Sequence, residues 1–157
     1  MSIPKKFTNY LEKNQVKYDV VEHRTVYTAY DLSQTLDRKM TDIAKTLLVK
    51  VDNGLALAVL PASKRLDLIK LKKLAKAKKV GLPKENVMKT KLKIKPGAIT
   101  PFGKMHKLPV YMDASLKKPK KILVGAGSFD ESFLITPAAL IKLEEPVIGS
   151  FSQARKK

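Results

Sequence analysis

Apolar residues at Ile3, Phe7, Tyr10 and Leu11 recur at spacings of three and four, with Ser2 placed to cap and Pro4 near the first turn. This pattern predicts an amphipathic helix to about Asn14. Alternation over 16–21 then predicts a short strand ending at Glu22 and His23. Thr28 with Asp31 three residues on forms a capping box for a short helix through Ser33 and Leu36, and a second short helix is expected around 41–44. The segments KTLLVKV (45–51) and LALAVLP (55–61), separated by Asp52-Asn53-Gly54, predict a hairpin closed by an Asn-Gly turn. Both strands are mostly apolar, so both faces should be covered.

Beyond the hairpin, Leu66, Ile69, Leu74 and Ala77, with Asp67 near the start, describe a basic amphipathic helix that ends before Gly81 and Pro83. A further short helix is expected over 84–89. Pro96, Gly97, Pro101 and Gly103 make 95–104 a shaped loop. Strands are expected over 109–113, 121–124 and 133–135, then a helix capped by Thr136-Pro137 and carrying Leu140 and Leu143, then an edge strand within 146–151. No 20 to 50 residue period and no linker interrupts the chain. Strands that are mostly not separated by helices argue for a single α+β domain with a curved, barrel-like mixed sheet surrounded by helices. Only the final ARKK reads as frayed.

The chain has 157 residues, which suits one domain. Its longest apolar run falls far short of the ~18 to 20 residues of a membrane-spanning helix. Neither a secretory leader nor a membrane partner is indicated, and the cytoplasm is the expected compartment. The absence of cysteine excludes disulfides, zinc knuckles, iron–sulfur clusters and a thiol nucleophile. Thirty-two Lys and Arg against 14 Asp and Glu leave a net charge of +18, and residues 64–95 alone hold thirteen Lys/Arg against Asp67 and Glu85. Such an excess implies a polyanionic partner. Because the cations do not lie on one long amphipathic helix, nucleic acid fits better than a membrane surface. The competing reading is a solvated lysine-rich face that aids solubility.

Two histidines, His23 and His106, and no His/Asp/Glu group at ligand spacing give no expectation of a metal. His106, between lysines, is expected at the surface. The GAGSF segment around Ser128 lacks the second glycine of a nucleophile elbow, and no base stands near it in sequence. The same glycines form neither a Walker loop nor a dinucleotide fingerprint, so no cofactor is expected.

What remains is Lys45 at the head of an apolar strand, together with two loops, GAITPFG (97–103) and GAG (125–127). With LEKN, the EH pair at 22–23, IAKTLLVKV, LAVLPASKRLDLIKLKKL, PGAITPFGKMHKLPVYMDASL and ILVGAGSFDESFLITPAALIKL, this order of segments resembles the YbaK/EbsC-type proteins. That family is related to the editing domain inserted in bacterial prolyl-tRNA synthetases and includes free-standing hydrolases of mischarged tRNA. The resemblance implies an editing domain over 1–152 followed by a basic tail over 153–157. It implies that Lys45 engages the phosphate or ribose of the terminal adenosine, and that the GxxxP loop from Gly97 to Pro101 holds the ester near the hydrolytic water. Gly125 and Gly127 would line the same pocket. Synthetase editing domains often carry a histidine after those glycines, where this chain has Ser128 and Phe129. The KPGAIT stretch is closer to the PG version of the loop in the alanine-editing branch than to the double-glycine version.

His23, Thr100, Phe102 and Ser128 complete the candidate substrate contacts. For Thr100, a bond to local backbone is the competing role; for Phe102, it is a place in the core. Lys64, Arg65, Lys72, Lys73, Lys76, Lys78 and Lys79 are the candidates for gripping tRNA phosphates. The implied partners are a mischarged tRNA and, secondarily, an aminoacyl-tRNA synthetase. The implied reaction suits this composition. An aminoacyl ester is already activated, so a site that orients water and offers backbone N–H groups to the developing oxyanion can hydrolyse it without a protein nucleophile. Two rival readings share the charge but do not need the loops: a non-catalytic RNA-binding module, and an adaptor that keeps the fold.

Overall fold

The computed structural model describes residues 3–26, 28–84 and 99–154. Helix α1 (Lys5–Lys13) starts directly after Pro4, which supplies no side-chain cap, and buries Phe7 and Leu11 completely. Each of these two side chains contributes about 1.5–3 kcal/mol of hydrophobic stabilisation, so the helix is held by packing rather than by its cap. Strand β1 (Asp19–Glu22) is shorter than the alternation suggested. Helix α2 (Ala29–Leu36) begins as expected, with the Asp31 N–H donating to Thr28 Oγ1 at 3.1 Å. The short helix expected at 41–44 is instead one 3₁₀ turn, Met40–Asp42, because Ala44 already belongs to a strand.

Strands β2 (Ala44–Val51) and β3 (Gly54–Pro61) pair antiparallel along their full length, from Ala44 opposite Pro61 to Val51 opposite Gly54. The turn is Asp52-Asn53 rather than Asn-Gly. Asp52 takes the left-handed conformation (φ 52°), while Gly54 is already in the ladder. A second contact explains the choice. The Asp52 carboxylate accepts the backbone N–H groups of Lys78 and Lys79, both at 2.9 Å, which ties the turn to the segment after α3.

Leu66 falls in a strand, β4 (Lys64–Leu66), and the basic helix is α3 (Leu68–Ala75), capped by Asp67 accepting the Lys70 N–H. Its buried residue is Leu71, whereas Ile69 is 70% exposed and not part of the core stripe. Gly81 lies in β5 (Val80–Gly81). The helix expected over 84–89 lies, beyond Lys84, outside the described residues. A 3₁₀ turn, Gly103–His106, leads to β6 (Val110–Asp113), and another, Ala114–Lys117, follows it. Next come β7 (Ile122–Gly125), β8 (Glu131–Ile135) and α4 (Pro137–Glu144), the helix capped by Thr136. The single edge strand expected at the end is two, β9 (Val147–Gly149) and β10 (Ser152–Ala154). No helix among the described residues is long and apolar enough to cross a membrane.

The architecture is α+β, with a mixed sheet of order β5-β2-β3-β6-β9, an antiparallel sheet β1-β8-β7 and a two-stranded β10-β4 pair. In the mixed sheet, β3–β6 and β6–β9 are parallel and the other pairs antiparallel. The sheets are not closed into a barrel. A parallel bridge between Ile43 and Leu123 brings the start of β2 beside β7. The main core fills the space among α1, α4, β2, β3 and the three-stranded sheet, where Phe102 stands 6.3 Å from Phe7 and 6.0 Å from Phe133.

Candidate active site

Where β2 begins beside β7, the two sheets leave a cavity of about 210 Å³ lined by Lys45, Thr46, Ile99, Gly125, Ser128 and Ser132 among others. Its walls follow from strand geometry. Successive side chains of β2 point to opposite faces, so Thr46 stands with Ala44 and Leu48 towards the main core and Lys45 points the other way with Leu47 and Val49. Both reach the cavity because it opens at the strand's first residues. On the other side, Ser132 is the cross-strand partner of Gly125 on β7 and of Val21 on β1, at the middle of the three-stranded sheet.

Gly125 admits the 99–101 segment. A Cβ built there would lie 2.0 Å from the Ile99 carbonyl oxygen, so only glycine lets that backbone cross over β7 at this point. The segment is then fixed by short-range bonds: Phe102 N–H to Thr100 Oγ1 (3.4 Å), Gly103 N–H to the Pro101 carbonyl (3.0 Å) and Met105 N–H to the Phe102 carbonyl (3.2 Å). Further along, buried Glu144 accepts the Lys104 N–H at 2.9 Å and the Tyr10 hydroxyl at 2.7 Å, anchoring the 3₁₀ turn to α4 and α1. Burial pushes the Glu144 carboxyl above its ordinary value despite these bonds, and burial beside Glu144 raises the Tyr10 hydroxyl as well.

His23 is held on three sides. Its backbone N–H donates to the Asp130 carbonyl (2.9 Å), its Nδ1 meets the Arg24 carbonyl (2.8 Å), and its Nε2 meets Ser132 Oγ (3.1 Å). A carbonyl can only accept, so Nδ1 carries the proton; in the neutral ring Nε2 then accepts, and the Ser132 hydroxyl donates to it. With its proton in that bond, Ser132 Oγ keeps the capacity to accept. Thr46 Oγ1 is buried without a hydrogen-bond partner among the described residues, and it is the only such atom whose residue lines the cavity.

The structure therefore brings Lys45, His23, Gly125 and Ser128 to one cavity with the backbone at Ile99. Gly97 lies outside the described residues. Thr100, Pro101 and Phe102 are buried behind the wall, Thr100 bonding its own turn and Phe102 packed in the aromatic core. Gly127 sits elsewhere: its φ is 76°, and a Cβ there would lie 2.4 Å from the Phe7 ring, so it serves the docking of α1. Ser128 Oγ donates to Asp130 Oδ1 at 2.6 Å. His106, expected at the surface, is half-buried: its Nε2 is covered, and burial together with Lys6 lowers its pKa.

None of the seven basic candidates lines this cavity. Lys78 and Lys79 border a groove of about 680 Å³ with Lys50, while Lys64 borders a separate hollow with Lys118. Arg65, Lys72, Lys73 and Lys76 are exposed. Sequence reasoning missed Thr46 and Ser132. Thr46 was masked by its neighbour Lys45, and Ser132 gains meaning only from the β7–β8 register that sets it opposite Gly125.

The family model for the aminoacyl-tRNA editing domain matches residues 23–143. The proline–tRNA ligase of Macrococcus caseolyticus is 28% identical over 109 residues, 69% of this chain but only 19% of that protein. This chain thus spans about a fifth of the length of that ligase. A protein of Enterococcus faecalis described as a candidate Cys-tRNA(Pro)/Cys-tRNA(Cys) deacylase, EbsC, is 25% identical over 159 residues, 93% of this chain and 95% of its own length. Among solved structures, a hypothetical protein superposes with a TM-score of 0.88 at 21% identity, covering 94% of this chain and 99% of its own. A candidate trans-editing enzyme for prolyl-tRNA synthetase superposes with a TM-score of 0.84 at 22% identity, covering 96% of each chain. The family description, an aminoacyl-tRNA editing domain, agrees with the family that the sequence resembles. With its matched span running from the cavity histidine into α4, the chain belongs to the aminoacyl-tRNA editing domain family.

Proposed function

We propose that the chain is a trans-acting aminoacyl-tRNA deacylase that hydrolyses the ester of a small amino acid wrongly attached to proline tRNA. The observation that carries this reading is the meeting of Lys45 and the Ile99 backbone at one cavity beside a glycine that no other residue can replace. Lys45 supplies a cation for the terminal phosphate or the developing oxyanion, and the backbone beside Gly125 orients the ester. A cavity of about 210 Å³ is in scale with a small aminoacyl group, not a bulky aromatic one. The tRNA species rests on the names of the relatives, which include proline–tRNA ligases and a candidate Cys-tRNA(Pro) deacylase. Action in trans rests on the near full-length match to the second of these. Such an enzyme works where aminoacyl-tRNA is made and used, the cytoplasm, with the exposed lysines of 64–79 gripping phosphates and a synthetase as the source of its substrate.

The test is ester loss from a panel of mischarged tRNAs. The protein should cleave at least one well above the spontaneous rate, and Lys45→Ala should lower that rate by about 10²-fold with the fold intact. Salt-sensitive RNA binding with no cleavage of any ester would favour the binding-module reading instead.

A further inference from the structure

Ser132 and His23 form a pair whose polarity is fixed by the backbone, and it faces the cavity rather than the core. Nδ1–H donates to the Arg24 carbonyl, so in the neutral ring His23 Nε2 is an acceptor and the Ser132 hydroxyl donates to it. The remaining capacity of Ser132 Oγ is to accept. An acceptor at that position calls for a donor from the ligand side of the cavity. Water is the smallest such donor and a substrate of the proposed reaction. In the lining of the same cavity, the hydroxyl of Thr46, without a partner among the described residues and in a residue only 7% exposed, marks a place where a ligand's polar atom completes the hydrogen bonding.

We infer that Ser132 and His23 act as a proton relay that activates the hydrolytic water, Ser132 touching the water and His23 acting through Ser132. This rests on the deacylase reading above. As the water oxygen bonds to the ester carbonyl carbon, its proton passes to Ser132 Oγ while the Ser132 proton passes to His23 Nε2, giving an imidazolium. When the tetrahedral intermediate collapses, the bond from carbon to the ribose oxygen breaks. The proton returns through Ser132 to that oxygen, releasing free amino acid and tRNA with the relay restored. Serine is not acylated at any stage. The Thr46 hydroxyl donates to the carbonyl oxygen as its charge develops, alongside the Lys45 ammonium.

The experiment compares wild type, Ser132→Ala, His23→Ala and His23→Gln in single-turnover deacylation of a mischarged tRNA that the wild type cleaves, with tRNA affinity measured in parallel. His23→Gln separates a relay from a scaffold: its amide oxygen still accepts the Ser132 hydrogen bond but is not a base. All three variants should lose about 10²-fold or more in rate with tRNA affinity unchanged, and added imidazole should restore His23→Ala but not Ser132→Ala. Should Ser132→Ala fail to fold, His23→Gln and imidazole rescue carry the test alone. If His23→Gln keeps more than half the wild-type rate, or imidazole rescues nothing, the relay is overturned while the deacylase assignment stands. If the wild type cleaves no ester in the panel, both fall together.

Discussion

Gly125→Ala is the sharpest test of how the cavity is built. The added methyl would sit 2.0 Å from the Ile99 carbonyl oxygen and 3.0 Å from its carbon, both backbone atoms that no rotamer change can move. A Cβ essentially never comes within about 3.0 Å of another heavy atom, so the 99–101 segment must retreat by about 1 Å. The segment has little freedom to absorb this, because Thr100, Pro101 and Phe102 are buried and Phe102 is wedged between the Phe7 and Phe133 rings. Overpacking of this kind costs about 1–3 kcal/mol of stability. In a chain of this size that lowers the melting temperature by roughly 2–4 °C per kcal/mol and leaves a folded protein at 25 °C.

The catalytic consequence is larger, since a displacement of about 1 Å in an orienting element is worth on the order of 10²-fold in rate. Deacylation kinetics and thermal melting on the same sample separate the two effects. Gly81→Ala is the control, for nothing lies within 4 Å of a Cβ there, and it should change neither quantity. Gly125→Ala with wild-type deacylation would refute the claim that the Ile99 backbone shapes the working cavity.

Three further outcomes are expected. Thr46→Val removes a buried hydroxyl that has no partner among the described residues, which should stabilise the fold by about 1 kcal/mol while lowering deacylation; melting and single-turnover rates check both, and a loss of stability would mean that the hydroxyl has a structural partner. Neutralising Lys72, Lys73 and Lys76 together should weaken tRNA binding and flatten the slope of log affinity against log salt by up to about 3, without changing which amino acid is removed; an unchanged slope moves the tRNA-facing surface elsewhere. Burial works to raise the Asp113 carboxyl, but bonds from Ser115, the Phe151 N–H and Ser152 outweigh it and hold the group below its ordinary value of 3.8, so its stabilisation is present at neutral pH and is lost as pH falls below about 4. Asp113→Asn should therefore cost about 1–3 kcal/mol at pH 7 and progressively less as pH falls below about 4, read from denaturant melts across that range.

Much of the frame was legible because local signals and tertiary demands agree in it. The hairpin of β2 and β3 reads as two apolar runs around a turn, and the Thr28 and Thr136 caps each receive the N–H expected three residues on. The differences fall where a distant contact decides. The turn takes Asp52 rather than Gly54 into the left-handed region because the Lys78 and Lys79 N–H groups need the Asp52 carboxylate. Leu66 joins a strand because β10, some 86 residues further along, pairs with it. Ile69 leaves the apolar stripe because α3 ends after eight residues and packs through Leu71.

The cavity divides along the same line. Lys45 and Gly125 stand out in the sequence because a lysine heading an apolar strand and a glycine ending one are locally odd. Ser132 and Thr46 are locally ordinary: a serine and a threonine in strands, on the faces that alternation assigns them. Their roles arise from register, which sets Ser132 opposite a residue with no side chain, and from the Ile43–Leu123 bridge, which brings the start of β2 beside β7. The oddity of Gly125 and the ordinariness of Ser132 thus have one cause. The missing Cβ on one strand lets the Ile99 backbone over β7, and its cross-strand partner is Ser132, the serine that hydrogen-bonds His23 Nε2. A larger residue at 125 would displace that backbone and close the approach to Ser132 together, so deacylation in Gly125→Ala and in Ser132→Ala should fail at the same step, with tRNA binding intact in both.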